Sequence, residues 1–189
     1  MENHQKKIPC IGWGSLIWNP GTLPRVGGWH RDGPMLPVEF ARESSGRRIT
    51  LVICKDVPEV QTLWTLLDAD DIATARQQLG MREYERATQK WIAANIGFWD
   101  KASGTSHGEA AQPLASWADA RGFAGVVWTS LKCGFKASPG VMPSGEEIVT
   151  HLRSLEGAER AAAEEYVRKA PHQVNTAYRE LIAAALDWY

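Results

Sequence analysis

Cys10-Ile11-Gly12-Trp13-Gly14-Ser15-Leu16-Ile17-Trp18-Asn19-Pro20-Gly21 reads as a short strand that runs into a glycine turn and is broken at Asn-Pro-Gly. Two readings of this stretch stand side by side. In the plain one, a strand leaves its sheet and two tryptophans fill core. In the sharper one, small residues let backbone N–H groups face outward as a pocket for a carboxylate or an oxyanion. The Ser15 hydroxyl would add a polar contact.

Working outward, a glycine-rich, irregular stretch with Gly27, Gly28 and Gly33 extends to Pro37. Residues 38–42 alternate apolar and polar, as a half-buried strand does. Ser44-Ser45-Gly46 is a turn, and residues 49–54 are rich in β-branched residues, so a hairpin is expected. Residues 60–66 alternate again and form a third strand. Asp68 is read as the cap of a helix carrying Ile72, Ala75 and Leu79 and ended by Gly80. A helix start and then an extended 96–99 follow; 100–112 is read as loop, 114–121 as a short helix and 124–129 as a buried strand. Ser144 with Glu147 three residues on is a capping-box pattern. Two helices close the chain, 158–168 and 174–188, separated by Pro171. Strands come first and helices last, which points to an α+β fold rather than a doubly wound sheet. No repeat or long linker divides residues 1–189, which read as a single domain.

Composition narrows the function. The 189 residues carry 22 acids and 21 bases, so no basic face is offered to nucleic acid or to an anionic membrane. No stretch approaches the roughly 20 apolar residues of a membrane helix. The amino-terminal run has Glu2 at once and glycines within its apolar part, unlike a secretory leader. Three scattered cysteines, Cys10, Cys54 and Cys133, form no C-x-x-C and indicate no disulfide framework, which makes the cytoplasm the default location. Nine tryptophans spread along the whole chain read mostly as core or rim.

Several catalytic patterns are missing. Ser15 lacks the flanking glycines of a nucleophile elbow. Ile17 occupies the place of the third glycine of a dinucleotide fingerprint. His4, His30, His107, His151 and His172 show no metal-binding spacing.

The segment from Gly14 to Pro20 closely resembles the glycine loop of the γ-glutamyl cyclotransferase-like proteins, above all their ChaC branch. There the loop reads Tyr-Gly-Ser-Leu and commonly continues Ile-Trp-Asn-Pro. A second match is Leu79-Gly80-Met81-Arg82-Glu83-Tyr84 after a helix that follows the central strands, where the ChaC branch carries an Arg-Glu pair. A weaker third match lies at Asn175, Tyr178 and Leu181. The resemblance implies a small twisted β-barrel-like sheet surrounded by helices. It implies Glu83 as catalytic acid/base, and Trp13, Gly14, Ser15, Leu16 and Tyr178 as substrate-binding residues. It implies a small-molecule γ-glutamyl substrate, with no metal and no organic cofactor.

In the family reaction, the free α-amine of a γ-glutamyl group attacks its own side-chain amide carbonyl, closes 5-oxoproline and expels an amine or peptide. One carboxylate near both nitrogens can take the proton from the attacking amine and give it to the leaving one. Holding the chain folded for this intramolecular attack supplies much of the acceleration. The loop amides of Gly14, Ser15 and Leu16 would hold either the tetrahedral oxygen or the α-carboxylate. Glu85 competes with Glu83 if the register differs, and Glu39 and Glu43 are secondary candidates. Tyr178 lines the pocket or is helix-face core.

Two departures matter. Trp13 replaces the family tyrosine and removes its hydroxyl, and residues 97–145 do not match in detail. They keep open a second expectation, a non-catalytic regulatory protein that binds γ-glutamyl compounds or another small molecule in the same pocket.

Overall fold

A computed structural model describes residues 7–189. The features read at Glu2 and His4 lie outside the described residues. In chain order come β1 (Ile8–Gly12), β2 (Arg25–His30), β3 (Met35–Leu36), β4 (Val38–Glu43), β5 (Ile49–Ile53), β6 (Val60–Gln61), β7 (Leu63–Leu67), α1 (Ile72–Glu83), α2 (Gln89–Asn95), β8 (Ile96–Asp100), β9 (Thr105–His107), α3 (Ala111–Ala120), β10 (Gly125–Thr129), α4 (Gly145–Arg153), α5 (Gly157–Lys169) and α6 (Ala177–Leu186). The protein is α+β. Its described residues form two compact units. A sheet unit holds residues 7–12, 19–34 and 62–130, and a hairpin unit holds 13–18, 35–61 and 131–189.

The sheet unit is a mixed sheet in the order β2-β7-β1-β10-β8-β9. Its neighbours are antiparallel except β1 and β10, which run parallel. The sheet is open, with β2 and β9 at its edges, and no closed barrel forms among the described residues. This corrects the barrel-like expectation. The physical reason is that the expected hairpin, β4 with β5, pairs within the hairpin unit instead of extending this sheet. Val126, Val127 and Trp128 of β10 are all fully buried, so this strand is covered on both faces. A Cβ on Gly125 would collide with Ile72 of α1, while the Trp128 indole donates to Glu109 O (2.9 Å) just before α3.

Tertiary pairing revises several sequence boundaries. The stretch with Gly27 and Gly28 is the edge strand β2, paired with β7 across an irregularity where Gly27 adopts φ +83°. Residues 60–66 break at Thr62, whose amide and hydroxyl both donate to Pro34 O. The cap of α1 is Asp71, which accepts from Thr74 N (2.7 Å), and not Asp68. Gly80 does not end α1. It lies inside the helix, where a Cβ would strike Ile92 of α2, so glycine there permits close helix approach. Residues 105–107, read as loop, form β9 against β8, with Asp100 holding the turn through Ser103 and the Ala102 amide. Of the nine tryptophans, Trp13, Trp64, Trp128 and Trp188 are buried and the rest half-buried, so all serve as core or rim.

In the hairpin unit, β4 and β5 pair antiparallel, β3 pairs with β6, α6 packs on β4 and on α4, and α5 packs on β5. The Ser144–Glu147 capping box is present, with Ser144 Oγ accepting from Glu147 N and Glu147 accepting from Ser144 N. No helix of the described residues is long and apolar enough to cross a membrane.

Arg179 of α6 is buried, and its guanidinium donates to the carbonyls of Pro171, Val174, Val167 and Ala170. It thus satisfies carbonyls at the end of α5 and in the turn beyond, where a helix presents partial negative charge. Arg179→Met keeps the bulk but removes the guanidinium donors from these carbonyls, of which Pro171 O keeps only the Val174 amide. We expect a loss of about 3 kcal/mol of stability, on the scale of buried polar groups left unsatisfied, measured as a lower midpoint in urea unfolding.

Candidate active site

The glycine loop, Trp13–Trp18, belongs to the hairpin unit. It forms because β1 ends at Gly12, opposite Leu63, and the chain turns at once, with Ile17 N donating to Gly14 O (2.9 Å). Its frame is the backbone of Leu51 in β5. Trp13 Nε1 donates to Leu51 O (3.3 Å), and Leu51 N donates to the Tyr166 hydroxyl (3.3 Å). That hydroxyl rests directly against Gly14, where any Cβ would overlap it. Trp18 meets the Tyr166 ring edge-on at 5.2 Å, and Phe40 does so at 6.2 Å. Trp13, Gly14 and Leu16 are buried, and Ser15 is half-buried.

Glu83 lies in the sheet unit as the last residue of α1. Its side chain is only 17% exposed, whereas Glu85 lies in an exposed position. Arg82, 11% exposed, pairs with it at 2.6 Å and also donates to Asn19 O. Glu83 is near enough to β1 to act on Cys10, whose thiol is pushed far up by burial first and by the Glu83 charge second. Glu83 therefore sits in the same unit as Gly12 and Asn19, the residues from which the loop departs and to which it returns.

The two other carboxylates considered from sequence are in the hairpin unit. Glu43 accepts from Lys136 N (3.0 Å) at the surface. Glu39 is almost wholly buried. Its Oε1 accepts from Phe40 N (2.8 Å) and the Thr176 hydroxyl, and its Oε2 accepts from Tyr178 N (3.2 Å). Thr176 is the cap of α6, so Glu39 completes that helix terminus. Burial pushes the Glu39 carboxyl above its ordinary value and outweighs these hydrogen bonds, which pull it down. Tyr178 is half-buried, and its hydroxyl donates to Pro143 O (3.0 Å).

The structure thus groups Trp13, Gly14 and Trp18 around Leu51 and Tyr166, and groups Glu83 with Arg82, Asn19 and Cys10. Sequence reading missed Tyr166. Its signal is its place beside Ala163 and Val167 on the apolar face of α5, since a buried tyrosine hydroxyl must find a partner. No protein-family model matches the chain, and no curated protein matches it in sequence.

Two outcomes follow from this geometry. Gly14→Ala should cost about 1–3 kcal/mol by overpacking against the Tyr166 hydroxyl. Tyr166→Phe, which removes the atom that the new methyl meets, should restore part of that loss in the double variant, a coupling read from a double-mutant cycle of unfolding free energies. Glu39 supplies a pH signature. A buried carboxyl with a raised folded-state pKa keeps its proton where the unfolded chain has lost it, so its contribution fades as pH rises out of the ordinary carboxylate range. Urea unfolding of wild type and Glu39→Gln across pH should show wild type losing ground relative to the variant as pH rises; parallel curves would refute the assignment.

Proposed function

We propose that this chain is a γ-glutamyl cyclotransferase, with Glu83 as its acid/base. The observation that carries the reading is the setting of Glu83: a mostly buried carboxylate, gripped by Arg82, which also holds Asn19 at the end of the loop. A surface carboxylate in a charged run would have neither the burial nor the partner. The α+β architecture suits the reading at the coarse level, and we take the fold to be of the cyclotransferase kind with its sheet left open.

On this reading the γ-glutamyl α-amine loses a proton to Glu83 as its nitrogen attacks the side-chain amide carbon. The C–N bond of the lactam forms, and the carbonyl oxygen becomes a tetrahedral oxyanion. Amides of Gly14, Ser15 and Leu16 hold that oxyanion or the α-carboxylate. The proton then passes from Glu83 to the leaving nitrogen as the old C–N bond breaks. Arg82 orients the carboxylate through the close pair.

A binding protein without turnover is the second reading. It is favoured by Trp13, whose indole N–H is engaged with Leu51 O where the family has a tyrosine hydroxyl.

The test is 5-oxoproline release from a panel of γ-glutamyl peptides and amines. Wild type should turn over at least one member. Glu83→Gln should lose roughly a hundredfold or more, the scale of general acid–base catalysis, while Glu85→Gln stays close to wild type. Turnover that survives Glu83→Gln would remove Glu83 from the mechanism. Binding of a γ-glutamyl compound without any turnover would favour the second reading.

A further inference from the structure

Two of the three cysteines are brought together by the hairpin unit although 79 positions separate Cys54 from Cys133 in the sequence. Cys54 follows the end of β5, is 3% exposed, and is fixed by its amide donating to Pro37 O (2.7 Å). Cys133 is half-buried and lies in a segment clipped to β4 from both sides. Gly134 N donates to Ala41 O (2.7 Å), Glu43 N donates to Gly134 O (3.1 Å), and Arg42 Nη1 donates to Lys132 O (3.2 Å). Both segments are therefore tethered independently to the β3–β4 stretch, and the tethers bring the cysteines to one place. Cys133 packs against the small apolar cluster of Ala41, Val52 and Cys54, together with Val57, Leu131 and Met142, and the Cys54 thiol donates to Val52 O (3.5 Å). Packing in one cluster puts the two side chains beside each other, and a disulfide between them would bring the sulfurs to ~2.05 Å.

We propose that Cys54 and Cys133 are an oxidation site of this protein, closing to an intramolecular disulfide under a two-electron oxidant such as a peroxide. This inference stands apart from the cyclotransferase reading. Cys133 reacts first. Its sulfur bonds to one peroxide oxygen as the O–O bond breaks, giving a sulfenic acid and water. The Cys54 sulfur then displaces the hydroxyl from Cys133; the S–S bond forms, the S–O bond breaks, and the Cys54 proton leaves with the hydroxide as a second water. The two sulfurs together give up two electrons, and the peroxide is reduced to two waters.

The assignment of order has physical grounds. Cys54 is buried, and burial first, then the nearby Cys133 and Glu39, push its thiol up to about 12, so it is poorly suited to attack the oxidant. Cys133 is the more exposed of the two. Cys10 is fully buried in the sheet unit and has no part in the pair. The bond would tie the end of β5 to the segment clipped on β4. β5 also carries Leu51, so oxidation would stiffen the strand that frames the glycine loop.

The experiment uses the full chain treated with hydrogen peroxide, then denatured, alkylated with N-ethylmaleimide and mapped by mass spectrometry without reduction. Wild type should fall from three alkylated cysteines to one, lose the mass of two hydrogens, and yield a cross-linked peptide pair containing Cys54 and Cys133. Reduction should restore all three. In Cys54→Ser, Cys133 should instead be trapped as a dimedone adduct. Three alkylatable thiols after peroxide treatment, a cross-link through Cys10, or exclusively intermolecular dimers would overturn the proposal.

Discussion

Leu51 sits midway along β5, whose edge away from β4 meets no further strand among the described residues. An edge of this kind must satisfy its polar groups elsewhere or leave them to water. Here the Leu51 amide goes to the Tyr166 hydroxyl and the Leu51 carbonyl goes to the Trp13 indole. One residue's backbone therefore fixes a helix, α5, and a loop, Trp13–Trp18, against the same strand. The loop's shape then depends on Gly14 having no side chain, because the tyrosine oxygen fills the space that a Cβ would take. Glycine is needed here for close approach rather than for a left-handed backbone.

The same unit handles its two buried charges by placing them at helix ends. Glu39 lies at the start of α6, where the Tyr178 amide and the Thr176 hydroxyl donate to its carboxyl. Arg179 lies past the end of α5, where four carbonyls take its donors. Thr176 links the two arrangements, accepting from Arg179 N while donating to Glu39. Neither charge relies on a direct partner of opposite sign. This explains why a buried glutamate with a raised pKa need not be catalytic: helix capping accounts for its position in full.

Glu83 differs in kind. It completes no helix start, and its partner is the adjacent Arg82, which spends another donor on Asn19 O. Its carboxylate is paired with Arg82 and keeps 17% of its side-chain surface exposed. The chain path matters as well. The glycine loop leaves the sheet unit at Gly12 and returns at Asn19, so the strand beside Glu83 and the residue held by Arg82 are the loop's two anchors.

Much of this was legible in the residues themselves. Local signals fixed the β4–β5 hairpin, the buried strand β10, the capping box at Ser144 and the order of strands before helices, because alternation and caps act over a few neighbours. Glu83 and the glycine loop also stood out, through adjacent residues in a specific pattern. Features set by distant partners did not show. Gly27 and Gly28 look like loop until β7 offers a strand to pair with. Gly80 looks like a helix end until Ile92 is seen packing on it. The open sheet, the division at Thr62, the Tyr166 hydroxyl against Gly14 and the Cys54–Cys133 pair all join residues far apart in the chain. Sequence by itself determined which segments could be strand, helix or turn, since that is decided by local sterics and periodicity. Tertiary structure alone decided which strand edge met which side chain, because a hydrogen bond or a packing contact across scores of residues leaves no local trace.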